Sequence, residues 1–263
     1  MRVVIKKDYE SCSRWAGDYI ARRINEFSPD SSRPFVLGLP TGSTPVGTYR
    51  RLAELYKSGK VDFANVVTFN MDEYLGLPHD HEQSYHYFMK ENFFKYVNLK
   101  SENINILNGL AENPDEECAK YEAKIAQYGG IHLFLGGVGE NGHIAFNEPF
   151  SSFQSVTRKV SLTDDTIRAN SRFFDFDMSR VPKAALSVGI KTVCDSDEVL
   201  ILITGEKKVS ALTAAVEGPV THFCPVSALQ LHKNSLIVCD EPACGGLKPE
   251  TVKFFMERTD GEN

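Results

Sequence analysis

Apolar residues recur along this chain in two alternating rhythms. Short, nearly unbroken apolar runs lie at VVI 3–5, FVLGLP 35–40, VVTF 66–69, INIL 104–107, IHLFL 131–135, ALSVGI 185–190, VLILIT 199–204 and SLIVCD 235–240. A strand covered on both faces reads this way, because neither set of alternate side chains meets water. Between the runs the spacing changes to the three- and four-residue steps of an amphipathic helix. Cys12, Trp15, Ala16, Tyr19, Ile20, Ile24 and Phe27 make one such stripe, ended by the turn formers SPDSSRP. Further helices are predicted over 45–58, 84–96, 114–128, 164–171, 206–217 and 248–258. Strands alternating with helices predict an α/β fold with a doubly wound, mostly parallel sheet. A single domain is expected over 1–263, since no repeat, low-complexity tract or break in composition marks a second. The stretch 150–183 carries few large aliphatic residues and separates two strands expected to be neighbours, so it is read as a lid insertion.

Composition removes several classes. A net charge of −6 with both signs interspersed leaves no basic stripe for nucleic acid. The cysteines at 12, 118, 194, 224, 239 and 244 form no C-x-x-C pair and no metal-ligand spacing, which suits reduced thiols of a cytoplasmic protein. MRVVIKKDYE turns charged before a signal-peptide core develops, and no apolar run approaches the ~20 residues of a membrane helix, so no membrane partner is expected. His79, His81 and His86 in HDHEQSYH match no standard zinc spacing, and no metal is assigned to them.

Four stretches carry candidate chemistry. GGVGENGHIAFNEP, 136–149, follows a buried strand and holds His143 and Glu148, a base that titrates near neutrality and a carboxylate to orient it. Its G-x-G-x-x-G pattern, 137–142, resembles a dinucleotide fingerprint, but His143 leads into IAFNEP and a proline where that motif requires a helix. A hydrogen-bonded loop histidine is the alternative to a catalytic one. PTGSTP, 40–45, precedes a predicted helix, with Thr44 as its N-cap and Pro45 at the first helical position. Such a turn either offers free N–H groups to an anion or is an ordinary capped connection. In TFNMDEYLGLP, Asp72 and Glu73 follow a strand, and because successive side chains face opposite ways only one can enter a given pocket. That one either removes a proton from carbon or caps the next segment. Arg172 and Lys208 are cations suited to an anion, and Lys207 and Lys208 sit where a helix begins, an end that ordinarily repels them.

LGLPTGSTP, VVTFNMDEYLGLP, SYHYFM, NINILNG, GGVGENGHIAFNEP, ANSRFF, VPKAALSVGI and VSALQLHKN, in this order across nearly the whole chain, closely resemble the glucosamine-6-phosphate deaminase (isomerase) family. The resemblance implies a modified Rossmann-like fold and conversion of glucosamine 6-phosphate and water to fructose 6-phosphate and ammonia, with no metal or organic cofactor. By position, Asp72 matches the base that moves the C2 proton to C1, and His143 matches the residue that opens the pyranose, with Glu148 in support. Thr41, Gly42, Ser43, Arg172 and Lys208 match the phosphate grip. Longer members, which this length resembles, form hexamers activated by N-acetylglucosamine 6-phosphate, so a homo-oligomer is expected. Ser151, Ser152 and Arg158 match the activator site.

Three departures change the expectation. Asn141 stands where the family commonly has an aspartate, so ring opening is expected to be slower, with Glu148 still orienting His143. Val160 and Phe254 replace a lysine and a tyrosine of the activator site, which predicts absent or weak activation. HFCPVS, 222–227, replaces a stretch that usually carries tryptophan, with no direct chemical consequence expected. The rival readings are a 6-phosphogluconolactonase-like hydrolase and a catalytically impaired sugar-phosphate sensor.

Overall fold

In the computed structural model, residues 1–259 are described. In chain order the elements are β1 (Arg2–Lys6), α1 (Tyr9–Phe27), β2 (Phe35–Leu39), α2 (Val46–Lys57), β3 (Val66–Asn70), β4 (Asp72–Tyr74), α3 (Tyr85–Asn92), β5 (Ile104–Asn105) and α4 (Pro114–Gln127). There follow β6 (Leu133–Gly137), β7 (Arg158–Ser161), α5 (Asp164–Asn170), β8 (Ala184–Ser187), α6 (Ile190–Cys194), β9 (Glu198–Ile203), α7 (Val209–Val216), β10 (Ser235–Asp240) and α8 (Pro249–Thr259). Seven strands form one sheet in the order β1-β10-β9-β6-β2-β3-β5, every pair parallel.

The strands are apolar along most of their length, with polar residues chiefly at their ends, because alternate residues feed two separate cores. Val36, Phe134, Ile201 and Ile237 pack with Tyr121 of α4 and Leu212 of α7 on one face. Leu37, Leu135, Leu200 and Val238 pack with Ile20 of α1, Leu52 of α2 and Met89 of α3 on the other. Burying a side chain of this size contributes roughly 1.5–3 kcal/mol, which a polar replacement at one of these core positions would lose. The chain runs outward from β2 through β3 to β5, then returns to β6 and proceeds through β9 to β10. Strand order therefore reverses between β2 and β6, and the loops that leave their carboxyl ends diverge and open a crevice there.

Several elements differ from the sequence expectation. ALSVGI does not join the parallel sheet: Ala184–Ser187 pairs antiparallel with β4 and β7 in a separate three-stranded sheet. Gly189 and Ile190 then turn into α6, with the Ile190 N–H on the Ser155 hydroxyl at 3.0 Å and the Ser155 backbone packed where a Gly189 Cβ would project. A strand and a short helix both bury apolar residues continuously, so periodicity did not separate them. The stretch 150–183 is structured: β7 and α5 lie in it, and Leu162, Ile167, Phe174 and Val181 build a small core with Tyr74, Phe146 and Ala185. It also does not divide neighbouring strands, since β6 lies between β9 and β2. The predicted helix at 206–217 opens as a 3₁₀ turn at 206–208, and the one at 84–96 ends in another at 94–96. INIL contributes only Ile104 and Asn105 to the sheet.

Candidate active site

The candidate residues from four contiguous strands meet at one edge. Thr41, Gly42 and Ser43 follow β2, Asp72 follows β3, His143 follows β6, and Lys208 follows β9, all beyond carboxyl ends. The PTGSTP turn is built differently from its sequence expectation. Thr44 makes no capping bond, and Pro45 occupies the N-cap with αR dihedrals. The Tyr9 hydroxyl does the capping, accepting from Gly47 N at 2.9 Å and donating to Ser43 O at 3.2 Å. A distant tyrosine thus holds the turn from behind, and nothing in the local sequence signalled it. Gly42 at φ 92° takes a left-handed conformation that side chains disfavour, and the turn remains partly exposed.

Asp72 and Glu73 separate into two roles. The Glu73 carboxylate is fully buried and accepts from the backbone N–H groups of Tyr74, Tyr85 and His86 and from His86 Nδ1. It is the amino-terminal anchor of α3, beside the Ser84 cap. Asp72 faces the other way, 7 % exposed, and among the described residues no donor reaches its carboxyl. Burial, with the neighbouring Glu73 charge, pushes the Asp72 carboxyl up to about 8. Tyrosines surround it. The Tyr85 hydroxyl, raised well above its usual range by burial, lies against the hydroxyls of Tyr74 and Thr41, and Asn170 Nδ2 donates to Tyr74 at 2.8 Å.

In the glycine loop, Gly139 N donates to His143 O at 2.9 Å and Gly142, at φ 83°, carries the reversal, so no helix starts within the glycines. The His143 ring lies directly over Gly139, where a Cβ would collide with it. His143 Nδ1 stands 3.6 Å from Glu148 Oε2, an ion-pair separation beyond hydrogen-bond reach. Asn141 Nδ2 donates to that same oxygen at 2.8 Å, and Thr166 donates to Oε1 at 2.5 Å. Burial pushes the Glu148 carboxyl up, but the facing His143, Thr166 and Asn141 outweigh it and hold it at about 2. Cys224 packs against Gly142, and Val226 N donates to Gly142 O at 2.9 Å, so the 222–227 stretch supports this loop after all.

Lys208 is half-buried, and burial lowers its ammonium from the usual value while Glu140 raises it and Arg172 opposes it. The Arg172 charge acts on Lys208 although more than thirty residues separate them in sequence. Two of the activator-site candidates, Ser151 and Arg158, bond to the same loop, and Ser152 O accepts from Ser155 N at 3.0 Å. Arg158 Nη1 donates to Asn147 Oδ1 at 2.7 Å, and Ser151 N donates to Glu148 O at 3.0 Å, which ties both to the histidine loop. Val160 packs into the small core under the second sheet, and Phe254 lies on α8, which packs on β1 at the edge of the large sheet. The histidines of 79–86 take structural places: His79 stacks on His86 at 3.7 Å, and His81 accepts from Gln83 N. Sequence reasoning missed Tyr9, Tyr74, Tyr85, Asn147 and Thr166. TFNMDEYLGLP, SYHYFM and FNEP, already singled out, contain Tyr74, Tyr85 and Asn147, whereas no such stretch pointed to Tyr9 or Thr166.

The family model described as glucosamine-6-phosphate isomerases/6-phosphogluconolactonase matches residues 7–238. The chain is 58 % identical over 257 residues to the glucosamine-6-phosphate deaminase of Glaesserella parasuis serovar 5, covering 98 % of this chain and 97 % of that one. It is 56 % identical, over 98 % of both chains, to the enzyme of the same name from Phocaeicola vulgatus. A solved structure described as a monomeric glucosamine-6-phosphate deaminase superposes with a TM-score of 0.89 at 39 % identity, covering 94 % of this chain and all of that one. Its description as monomeric lends no support to the homo-oligomer expected above. A 6-phosphogluconolactonase from Thermotoga maritima shares the fold at a TM-score of 0.73 and 18 % identity. With relatives this similar over nearly its whole length, the chain belongs to the glucosamine-6-phosphate isomerase/6-phosphogluconolactonase family of enzymes.

Proposed function

We propose that the protein converts glucosamine 6-phosphate and water to fructose 6-phosphate and ammonia. The observation that carries this reading is the pairing, at one sheet edge, of a buried and unsatisfied Asp72 carboxyl with the His143–Glu148 pair. Lactone hydrolysis needs no base at carbon, whereas aldose–ketose isomerisation does. Thr41, Gly42, Ser43, Arg172 and Lys208 bind the phosphate, through N–H groups at a helix amino end and two cations. His143 moves protons between the anomeric and ring oxygens to open the pyranose, and Glu148 stabilises the charged imidazole. In the open aldehyde the C2 proton is acidic. Asp72 removes it and returns it at C1, which turns the C2 amine into an iminium. Water adds to that carbon and ammonia leaves. The amine belongs to the substrate, so no lysine Schiff base is required. A cytoplasmic location, and a single domain spanning the chain, belong to the same reading.

Ammonia release from glucosamine 6-phosphate by the purified protein tests it. Hydrolysis of 6-phosphogluconolactone without ammonia release, or binding of either sugar phosphate without turnover, overturns it.

A further inference from the structure

Glu73 adjoins Asp72 and has no part in the mechanism above, yet it is the more elaborately held of the two. Its four donors come from three residues on two elements, β4 and α3. The His86 ring that supplies one of them is itself held. It stacks on His79 at 3.7 Å and 8°, and His79 Nε2 lies 3.3 Å from Asn108 Oδ1. Gly109 closes over the same carboxylate, since a Cβ there would lie 3.3 Å from Glu73 Cγ and collide with the Tyr74 carbonyl. Side chains alternate along a strand, so fixing Glu73 toward α3 fixes Asp72 toward the crevice. The partner strand holds the same register: Asp72 pairs with Ser187 and Glu73 with Leu186.

The electrostatics are one-sided. On the elements packed around Asp72, the titratable groups are Tyr74 on its own strand, Tyr49 from α2, Tyr85 and His86 from α3 and Tyr121 from α4, with Arg172 near Tyr74. The paired positions of β8, Ala185, Leu186 and Ser187, carry no charge. Glu73 is the carboxylate whose charge acts on Asp72, and its donors hold it in place without reaching Asp72.

We propose that Glu73, clamped by His86 and the amino end of α3, is the positioning residue for Asp72, directing its carboxylate into the crevice and keeping it basic through the adjacent negative charge. This rests on the reading of Asp72 as the C2 base. The clamp has two separable functions: the His86 ring maintains direction, and the Glu73 charge maintains basicity.

The test measures kcat, KM and the pH dependence of ammonia release for Glu73→Gln, His86→Ala and His86→Asn, with thermal denaturation of each. Glu73→Gln keeps the volume and removes the charge. It is expected to move the acid limb of kcat/KM down by about one pH unit, because a like charge at this range raises a carboxylate by that order. His86→Ala is expected to lower kcat roughly 10- to 100-fold with KM little changed, as displacement of a reacting group does. His86→Asn, whose amide N–H reaches the place of Nδ1–H, is expected to restore most of it. Wild-type kcat and an unmoved acid limb in folded Glu73→Gln overturn the proposal. If that variant does not fold, equal kcat in wild type and His86→Ala, or no rescue by His86→Asn, overturns it instead. Failure of the underlying reading looks different: Asp72→Asn then retains turnover, or the wild type releases no ammonia.

Discussion

Asn141 and His143 compete for one oxygen of Glu148: the amide donates to Oε2 at 2.8 Å, and the imidazole Nδ1 stands 3.6 Å from it with no hydrogen-bond partner. Asn141 Oδ1 meanwhile accepts from His143 N at 3.2 Å, and the two contacts together fix the amide's orientation. An aspartate at 141 has no proton to give Glu148 and adds a second negative charge beside the ring. Asn141→Asp is therefore expected to raise kcat for ammonia release, by roughly tenfold at the low end of what acid–base positioning supplies. Unchanged turnover would mean that ring opening does not depend on this contact.

Asp72 sets two pH dependences. Because its folded carboxyl holds a proton to about 8, kcat/KM is expected to rise with pH toward that value as the base form appears. Stability runs the other way. The unfolded carboxyl ionises near 3.8, so between about 4 and 8 the folded chain binds the extra proton and stability declines as pH rises. Asp72→Asn is expected to lower kcat by ~10²–10⁴ and to remove that decline, so that above pH 8 the variant melts higher than wild type. A variant that melts lower there contradicts the burial account.

Glu148 gives the opposite sign. Its folded carboxyl is held at about 2 against an ordinary 4.5, so its contribution is present above pH 4.5 and is lost as pH falls from 4.5 toward 2. Glu148→Gln is expected to flatten the acid side of the melting-temperature profile in that window. It is also expected to slow turnover, since an amide stabilises no imidazolium.

Gly139 is a steric requirement of the histidine loop. Gly139→Ala places a Cβ inside the His143 ring, which must swing away from its place near Glu148. A loss of kcat on the order of 10²-fold is expected, the scale of a misplaced catalytic group. Near-native activity would mean that the ring works from another rotamer.

Activation by N-acetylglucosamine 6-phosphate is expected to be absent or weak. Arg158 is committed to Asn147, Val160 offers an apolar side chain to a small core, and Phe254 supplies no hydroxyl from α8. A substrate saturation curve that sharpens when this compound is added overturns the expectation, and sedimentation in the same buffer reads the assembly state.

The sequence by itself determined the sheet. Each parallel strand lies within or overlaps an apolar run, because a strand covered on both faces is apolar over most of its length, as Val199 to Ile203 are, although only two residues of INIL join the sheet. It also marked His143, Asp72 and the PTGSTP turn, since catalytic loops at strand ends interrupt apolar runs with glycine and ionisable residues. What the tertiary structure decided lies in contacts between distant positions. Ala184–Ser187 is as apolar as a parallel strand, and only its pairing with β4 and β7 assigns it to the second sheet. Asp72 and Glu73 are identical in local signal. Which of them is satisfied depends on the amino end of α3, twelve and thirteen residues on, and that contact leaves Asp72 facing the crevice. The cap of α2 comes from Tyr9, and the Arg172 charge acts on Lys208 between two segments that no local rule connects. Periodicity reports how much water a position meets, and a folded chain alone settles which neighbour takes the water's place.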